Sequence, residues 1–232
     1  MIFNESVKND SNPVDKTEKF MFDGERLIQH IIKQRYFEEE ISNEVNLSYS
    51  DNQVTVTTDY PTLVYTLNSE GYASQCVYSL SSQNRIYQFS YSAEGYLTGI
   101  VENIDNTEYS STSLTYENGD ITSISSKMNG LENKFIYEPG EESSTYHLPC
   151  LGLLEIHPLT FHIEALYAGL LGKDPRHFTI RSCPAGSNDE KTIYSYEFDK
   201  KGNPSRMICQ TTYAGGQASY YPYTRNISVS FE

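Results

Sequence analysis

The stretch Phe89-Ser90-Tyr91-Ser92-Ala93-Glu94-Gly95 decides the fold of this chain. Side chains two residues apart lie on the same face of a strand, so the rings of Phe89 and Tyr91 line one side. The Glu-Gly pair that follows permits the positive φ that a tight hairpin turn requires. The stretch therefore predicts a strand that runs into a hairpin.

The same pattern recurs along the chain. Gly71, Gly95 and Gly119 stand 24 residues apart, which is the length of one hairpin with its return strand. Such a period indicates supersecondary units that stack side by side. Further copies of the pattern end at Gly24, Asn52, Gly140 and Gly202. Residues 26–36 follow an Asp-Gly turn, and we therefore interpret them as a strand rather than a helix.

Residues 148–175 have a different character. After Pro158, apolar side chains recur at helical spacing, and Gly172 and Pro175 follow as natural stop signals. This pattern predicts one apolar helix over about residues 158–171. A helix that is apolar on most sides must be covered by another part of the fold.

The predicted fold is mainly β. A curved antiparallel meander of repeated hairpins packs around the apolar helix of residues 158–171, and both belong to a single domain over residues 19–232 with a helical insert at 148–175. Residues 1–18 are polar and contain Pro13, so we predict that they form a flexible leader.

Each hairpin has an aromatic residue, a second aromatic residue two positions later and an acid near a glycine. This signature resembles the YD repeats of RHS-type proteins. With the apolar segment 165–173 and a last hairpin at 194–202, the chain is similar to a family of uncharacterised secreted lipoproteins from Bacteroidetes-type gut bacteria. The resemblance covers about residues 19–232. It implies an exported protein, periplasmic or at the cell surface, with a lipid anchor and no established catalytic residues, although no lipid-accepting Cys stands near the start.

The charge of the chain argues against two classes of partner. Its 31 acidic residues against 17 basic ones give a net charge of −14, which repels nucleic acid phosphates and anionic lipid headgroups. No run of about 20 apolar residues is present, so we expect no transmembrane helix. The motifs of nucleotide, zinc and calcium sites are absent as well, and we expect neither a cofactor nor a metal.

The four cysteines do not have the spacing of a zinc ribbon. Cys76 occupies an apolar position of the repeat, which predicts a buried small side chain. Cys150 and Cys183 bracket the helical insert, where a disulfide between them is one alternative and free thiols are the other. Cys209 offers no pattern of its own.

Two sets of polar residues are candidates for chemistry. His157 and His162 flank the start of the predicted helix, with His147 and Glu155 nearby, while His30 and His177 are isolated. A spacing of five does not place His157 and His162 on one helical face, so packed or exposed imidazoles explain them more simply than a metal or acid–base site. The turn acids could bind Ca²⁺, but separate turns rarely converge on one ion, and turn chemistry explains them. These acids are Asp23, Glu70, Glu94, Glu117 and Asp199.

The chain has 20 tyrosines and no tryptophan. Nine tyrosines fall between residues 60 and 116, where cross-strand packing is the simpler interpretation and an exposed aromatic platform is the alternative. A loop-like stretch with two adjacent glycines offers the best exposed tyrosines, which are our candidate residues for binding a glycan or a protein partner. They are Tyr213, Tyr220, Tyr221 and Tyr223.

The sequence favours a non-catalytic binding or interaction module of the cell envelope. A carrier of an apolar ligand between sheet and helix is the first alternative, and an enzyme with an unrecognised site near His157 and His162 is the second. A large cavity lined by aliphatic side chains would favour the carrier. A cleft in which a histidine and a carboxylate meet would favour the enzyme.

Overall fold

The computed structural model describes residues 1–8, 14–36, 39–58, 62–80, 83–143, 153–154, 156–187, 189–212 and 223–231. Within these residues, sixteen antiparallel strands form a closed barrel in which every strand pairs with its neighbours in the chain. The strands are β1 (Ile2–Lys8), β2 (Val14–Asp23), β3 (Arg26–Tyr36), β4 (Glu39–Ser50), β5 (Gln53–Thr57), β6 (Thr62–Leu67), β7 (Ala73–Leu80), β8 (Gln83–Tyr91), β9 (Leu97–Ile104), β10 (Thr107–Glu117), β11 (Asp120–Met128), β12 (Leu131–Ser143), β13 (His177–Pro184), β14 (Lys191–Phe198), β15 (Pro204–Thr212) and β16 (Tyr223–Ser230).

Closure of the sheet is the main correction to the predicted curved meander. β1 pairs with β16, from Ile2 opposite Ser230 to Lys8 opposite Thr224. Closing a sheet pairs the backbone groups that open edge strands leave exposed. The residues predicted as a flexible leader therefore supply β1 and the first half of β2.

The evenly spaced glycines lie at chain reversals, as predicted. Gly71, Gly95 and Gly119 have φ angles of 85°, 92° and 90° and join antiparallel neighbours. The strand interpretation of Arg26–Tyr36 is confirmed as well. Turn chemistry and strand periodicity are local properties, which is why the sequence could reveal them.

A β-bulge follows each of these three turns. The register between β10 and β11 skips Thr122, whose hydroxyl donates to the carbonyl of Thr115 at 3.3 Å. The extra residue lets Ile121 and Ile124 both point into the barrel, where they are buried. The register shifts at the same place in the two preceding hairpins.

The inner face of the barrel wall carries most of the buried apolar side chains, and parts of the outer face are polar. In β5, Val54 and Val56 are buried, while the residues between and beside them point outward. Buried positions alternate with less buried ones on other strands as well, and the outward positions of β6, β7 and β8 include the apolar Val64, Val77 and Ile86. Outward positions on β4, β5 and β10 carry Asn46, Ser48, Ser50, Gln53, Thr55, Thr57, Ser113, Thr115 and Glu117.

The single helix predicted over residues 158–171 is wrong. The chain forms a 3-10 turn at Leu159–Phe161 and a short helix α1 at Ile163–Tyr167. Residues 156–176, which we call the plug, fill the barrel rather than lie on one face of a sheet. The apolar residues with helical spacing are surrounded by the wall, and positive φ angles at Gly169 and Gly172 interrupt the helix. Within the described residues, no helix is long and apolar enough to cross a membrane.

The plug runs between the two ends of the barrel. At the repeat end, which carries the turns at Gly71, Gly95 and Gly119, the carbonyl of Leu170 accepts the N–H of Ala73 at 2.7 Å. At the tip end, which carries the hairpins at 105–106 and 129–130, the plug begins close to the last residues of β9 and β11. Barrels of sixteen strands are wide enough for a water-filled channel, and here the plug occupies that space.

We expect replacement of Gly172 by alanine to destabilise the barrel more than replacement of Gly169. Both glycines have positive φ, which costs an alanine about 1–2 kcal/mol. A Cβ on Gly172 would lie 2.6 Å from the carbonyl oxygen of Gly95, whereas nothing lies within 4 Å of a Cβ on Gly169. Overpacking should add about 1–3 kcal/mol to Gly172→Ala, measured by urea unfolding. Equal losses in both variants would contradict this close approach.

Candidate functional site

The tip of the plug holds a histidine–carboxylate pair. His157 Nε2 lies 2.6 Å from Glu102 Oε2, and Glu102 is fully buried. The same carboxylate accepts hydrogen bonds from Ser110 at 2.7 Å and from Tyr87 and Arg85 at 3.2 Å. Four donors thus satisfy a charge that would be very unfavourable if it were buried alone.

The surroundings of Glu102 keep it ionised. Burial by itself would raise its pKa, but the hydrogen bonds from His157 and Ser110 and the positive charges of His157 and Arg85 outweigh burial and hold the pKa below its usual value. A carboxylate of low pKa with all its oxygens engaged is a poor general base. The arrangement suits an anchor for the plug tip better than a proton acceptor for a reaction.

A cavity of about 330 Å³ opens at the tip end, between the plug and β11 to β14. Among the described residues, its lining contains one histidine, His157, and no Asp, Glu, Lys or Arg side chain. Two polar groups are already positioned, because the Ser182 and Tyr194 hydroxyls lie 3.1 Å apart. The lining residues are Ser126, Met128, Leu131, Asn133, Phe135, Tyr137, Ile156, His157, Ser182, Thr192 and Tyr194.

Aromatic rings surround the plug tip beside this cavity. Phe161 is 39% exposed, and its ring lies 5.6 Å from that of His157 and 6.2 Å from that of Tyr78. The guanidinium of Arg85 lies 6.0 Å from the rings of both Tyr78 and Tyr109. The tip end therefore offers partly exposed aromatic surface next to a polar cavity.

His162, the second histidine of the enzyme hypothesis, lies apart from the cavity. It is fully buried, with Nδ1 2.7 Å from the Tyr65 hydroxyl. The rings of Tyr87 and Phe89 meet it edge-on at 4.4 and 5.3 Å. Burial lowers its pKa to about 3, so the ring is neutral. The structure thus separates the two histidines, one at the cavity and one in the packed interior.

His30, which the sequence analysis treated as isolated, holds the plug through a contact with helix α1. Its Nδ1 lies 2.8 Å from Glu164 of α1, and its Nε2 lies 3.4 Å from Glu18. The ring stacks on Phe20 at 4.0 Å. Burial alone would lower the pKa of His30, but the hydrogen bond with Glu164 and the contact with the Glu18 carboxylate raise it. Its partner Glu164 is 134 residues away, so no spacing in the sequence could reveal the contact.

The acids that hold the other histidines were also missed by sequence reasoning. Asp120 accepts the backbone N–H of His177 and lies within hydrogen-bond distance of its Nδ1, both at 2.8 Å. Glu102 stands two residues after the buried Ile100, on the inward face of β9. The sequence could have revealed Glu102 in one way, because it is an acid at a position where the strand pattern expects an apolar residue.

The tyrosines predicted to bind a ligand lie at or beyond the limits of the described residues. Tyr223 is the first residue of β16, and the structure describes its backbone but not its side chain. The described strand β15 ends at the tip end with Thr212, which pairs with Lys191, next to Thr192 of the cavity. Three of the candidates lie outside the described residues, namely Tyr213, Tyr220 and Tyr221.

The remaining candidates have simpler roles. Cys76 is fully buried, as predicted, and burial raises its pKa to about 12. The Cys150–Cys183 disulfide stays a prediction, because Cys150 lies outside the described residues. Among the turn acids, Asp199 accepts two backbone N–H groups of its own turn. No group of three His, Cys, Asp or Glu side chains within the described residues is placed to hold a metal ion.

A family profile described as a domain of unknown function (DUF4595) with porin-like fold matches residues 20–206. The chain belongs to this family. No curated protein matches it. The porin-like fold of the family agrees with the closed barrel seen here, and the family has no assigned activity.

Two solved structures show the same fold. A porin-like protein from Bacteroides uniformis ATCC 8492 has a TM-score of 0.89 at 26% identity, over 100% of this chain and 95% of that one. A porin-like protein from Bacteroides vulgatus ATCC 8482 has a TM-score of 0.60 at 12% identity, over 99% of this chain and 97% of that one, which supports the fold alone. The Bacteroides sources agree with the predicted resemblance to an uncharacterised Bacteroidetes-type family, while the comparisons name neither YD repeats nor a lipoprotein.

Proposed function

We propose that this chain is a non-catalytic binding protein of the bacterial envelope and that the cavity at the tip end binds a small neutral glycan unit. The observation that carries the proposal is the lining of the cavity, where uncharged hydroxyl and amide groups stand beside aromatic rings. Sugars present apolar ring faces and hydroxyl edges, which such a lining complements. The volume of about 330 Å³ falls within the range of small-molecule sites.

The barrel interior supports binding rather than passage of solutes. Membrane pores have a polar, water-filled interior and an apolar outer band. Here the interior is packed mainly with apolar side chains and filled by the plug, and outward positions of β4, β5 and β10 are polar. We infer that this part of the wall faces water. By the resemblance found in the sequence, we propose an exported location in the periplasm or at the cell surface, with a lipid anchor.

An apolar ligand, as the carrier hypothesis requires, fits the cavity less well. The aliphatic lining residues are Met128, Leu131 and Ile156, and most of the other lining side chains carry polar groups. A fatty chain would leave those groups without partners, at a cost of about 1–3 kcal/mol for each buried one. A hydroxylated ligand can satisfy them.

Catalysis is the second candidate, because a histidine and a carboxylate meet at the cavity as that hypothesis requires. His157 lines the cavity and contacts Glu102 at 2.6 Å. The carboxylate is engaged by three further donors, and the other histidine of the hypothesis is buried elsewhere. Conversion of a bound sugar by the wild-type protein, and not by His157→Gln, would establish catalysis over simple binding.

Calorimetry with neutral sugars tests the binding proposal. We expect at least one of galactose, N-acetylglucosamine, maltose and cellobiose to bind, and decanoate not to bind. Leu131→Trp should weaken the sugar at least tenfold, because Leu131 is exposed at the cavity and the added ring would obstruct it. Ile180→Trp, on an exposed outward position of β13, is the matched control and should bind as the wild type does. Binding of decanoate alone would overturn the proposal in favour of the carrier.

The same titration tests the predicted tyrosine loop. We propose that Tyr220 and Tyr221 contribute contacts to the same ligand. The double variant Tyr220→Ala with Tyr221→Ala should then weaken sugar binding while leaving the thermal unfolding midpoint unchanged. Equal affinity in both proteins would remove the loop from the site.

A further inference from the structure

A groove at the repeat end, far from the cavity, combines aromatic rings with positive charge. Its volume is about 690 Å³, and it lies between two of the repeated turns and the last residues of the plug. The groove is lined by Ser92, Glu94, Tyr96, Thr98, Leu114, Thr115, Tyr116, Asn118, Gly119, Lys173 and Arg176.

The backbone fixes both cations of the groove on successive repeats. The N–H of Lys173 donates to the carbonyl of Gly95 at 2.9 Å, and the N–H of Arg176 donates to the carbonyl of Gly119 at 3.1 Å. A Cβ on Gly119 would lie 2.8 Å from Cδ of Arg176 and 2.7 Å from the hydroxyl of Tyr96. The 24-residue period of the glycines therefore sets the spacing of the two cations.

Neither of these cations is held in a close ion pair within the described part of the chain, although the charge of Lys173 acts on the carboxylate of Glu94. Among the described residues, no carboxylate lies within 4.0 Å of the Lys173 ammonium or the Arg176 guanidinium. The guanidinium of Arg176 donates a long hydrogen bond to the carbonyl of Asn118 at 3.4 Å. Because the chain has a net charge of −14, two cations beside a single carboxylate in one groove mark a local preference for a negative group.

The rings beside the cations form a ready surface for a sugar face. Tyr96 and Tyr116 stack with their centroids 4.9 Å apart, and both are half-buried. Their rings are held by this contact and would lose little freedom when a ligand binds. A pyranose ring can pack on such rings through its apolar face.

Glu94 restricts the charge of the ligand. Its hydrogen bonds with Ser92 and with its own backbone, followed by the charge of Lys173, hold the pKa of Glu94 below its usual value. The carboxylate therefore stays ionised, repels a second negative group and can accept a hydrogen bond from a sugar hydroxyl. One anionic group together with several hydroxyls fits the groove best.

We propose that this groove binds a sugar acid, with its carboxylate held by Lys173 and Arg176 and its ring against Tyr96 and Tyr116. The site is separate from the tip-end cavity, and it does not depend on the function proposed there. Arginine and lysine both bind carboxylates through charge-assisted hydrogen bonds. The neutral sugar of the cavity and the acidic sugar of the groove would occupy opposite ends of one barrel.

Titration with galacturonate, followed by NMR or calorimetry, tests the groove. We expect binding at 20 mM NaCl that weakens several-fold at 300 mM, because salt screens exposed charges. The double variant Lys173→Met with Arg176→Met keeps the aliphatic stems over the glycines and should bind at least tenfold more weakly. Lys201→Met, in an exposed turn outside the groove, is the control and should not change the affinity.

Three results would overturn this proposal. They are equal binding of galactose and galacturonate in the groove, equal binding of inorganic phosphate and galacturonate, and undiminished affinity in the double variant. Thermal unfolding of each variant shows whether the barrel is intact, and Tyr96→Leu supplies a second probe that leaves both cations in place. Because the cavity lining has no residue in common with the groove, Leu131→Trp should leave galacturonate binding unchanged.

Discussion

Acid should destabilise this barrel through His162, by about 4–5 kcal/mol between pH 6.5 and pH 3. In the folded chain burial lowers the pKa of His162 to about 3, whereas in the unfolded chain it has the ordinary value near 6.5. Below pH 6.5 the unfolded chain therefore binds a proton that the folded chain excludes. The free energy of unfolding falls by about 1.4 kcal/mol for each pH unit until the folded pKa is reached.

Comparison with His162→Phe isolates this effect from the other titrating groups. The variant loses the contact with Tyr65 at every pH, but its difference from the wild type should shrink as the pH falls, because phenylalanine cannot take up the proton. Urea unfolding at pH 7.5, 6, 5 and 4 measures the difference. His30 acts in the opposite sense: its raised pKa adds stability below pH 6.5, which is lost as the pH rises through the folded value.

NMR gives a direct check of the same prediction. The ring protons of His162 should keep their chemical shifts from pH 8 to pH 4, because the imidazole stays neutral throughout this range. A titration midpoint near 6.5 would contradict the burial of His162 in the plug. The expected loss of stability in acid would then have to come from other groups.

The repeated hairpins could be predicted because each depends on neighbours in the chain. The acid-Gly turns, the alternating aromatics and the 24-residue period all lie within single hairpins. Barrel closure could not be predicted in this way. Glu5 on β1 pairs with Arg225 on β16, 220 residues away, so a strand that looks too polar for a wall is satisfied by a distant partner.

The plug shows a second limit of periodicity. Apolar side chains at helical spacing are equally compatible with a helix covered by a sheet and with an irregular segment enclosed by a barrel. The second is observed, since Leu159, Ala165 and Leu171 are all buried although α1 spans only Ile163–Tyr167. Prediction of the candidate site is limited in the same way. His157 was identified from the sequence, but its partner Glu102 lies 55 residues earlier and no local pattern connects the two.

Removal of the Glu102 carboxylate should have the second large effect, a loss of about 3–5 kcal/mol in Glu102→Ala. The substitution leaves the partly exposed donors of Arg85 and His157 and the buried Ser110 hydroxyl without their acceptor. Glu102→Gln keeps the shape and part of the hydrogen bonding and should lose less. Glu108→Ala, on an exposed position of the neighbouring β10, is the control and should stay within about 0.5 kcal/mol of the wild type.

The pH dependence and the ligands separate the role of Glu102 from general damage to the fold. Its lowered pKa adds stability above the unfolded value near 4.3, and this contribution is lost as the pH falls through the folded pKa. The deficit of Glu102→Ala should therefore shrink in acid. Because Glu102 holds the plug tip, neutral sugar binding in the cavity should weaken, while galacturonate binding at the repeat end should persist. A variant that unfolds within 1 kcal/mol of the wild type at pH 7 would show that the plug tip is held by its packing rather than by this carboxylate.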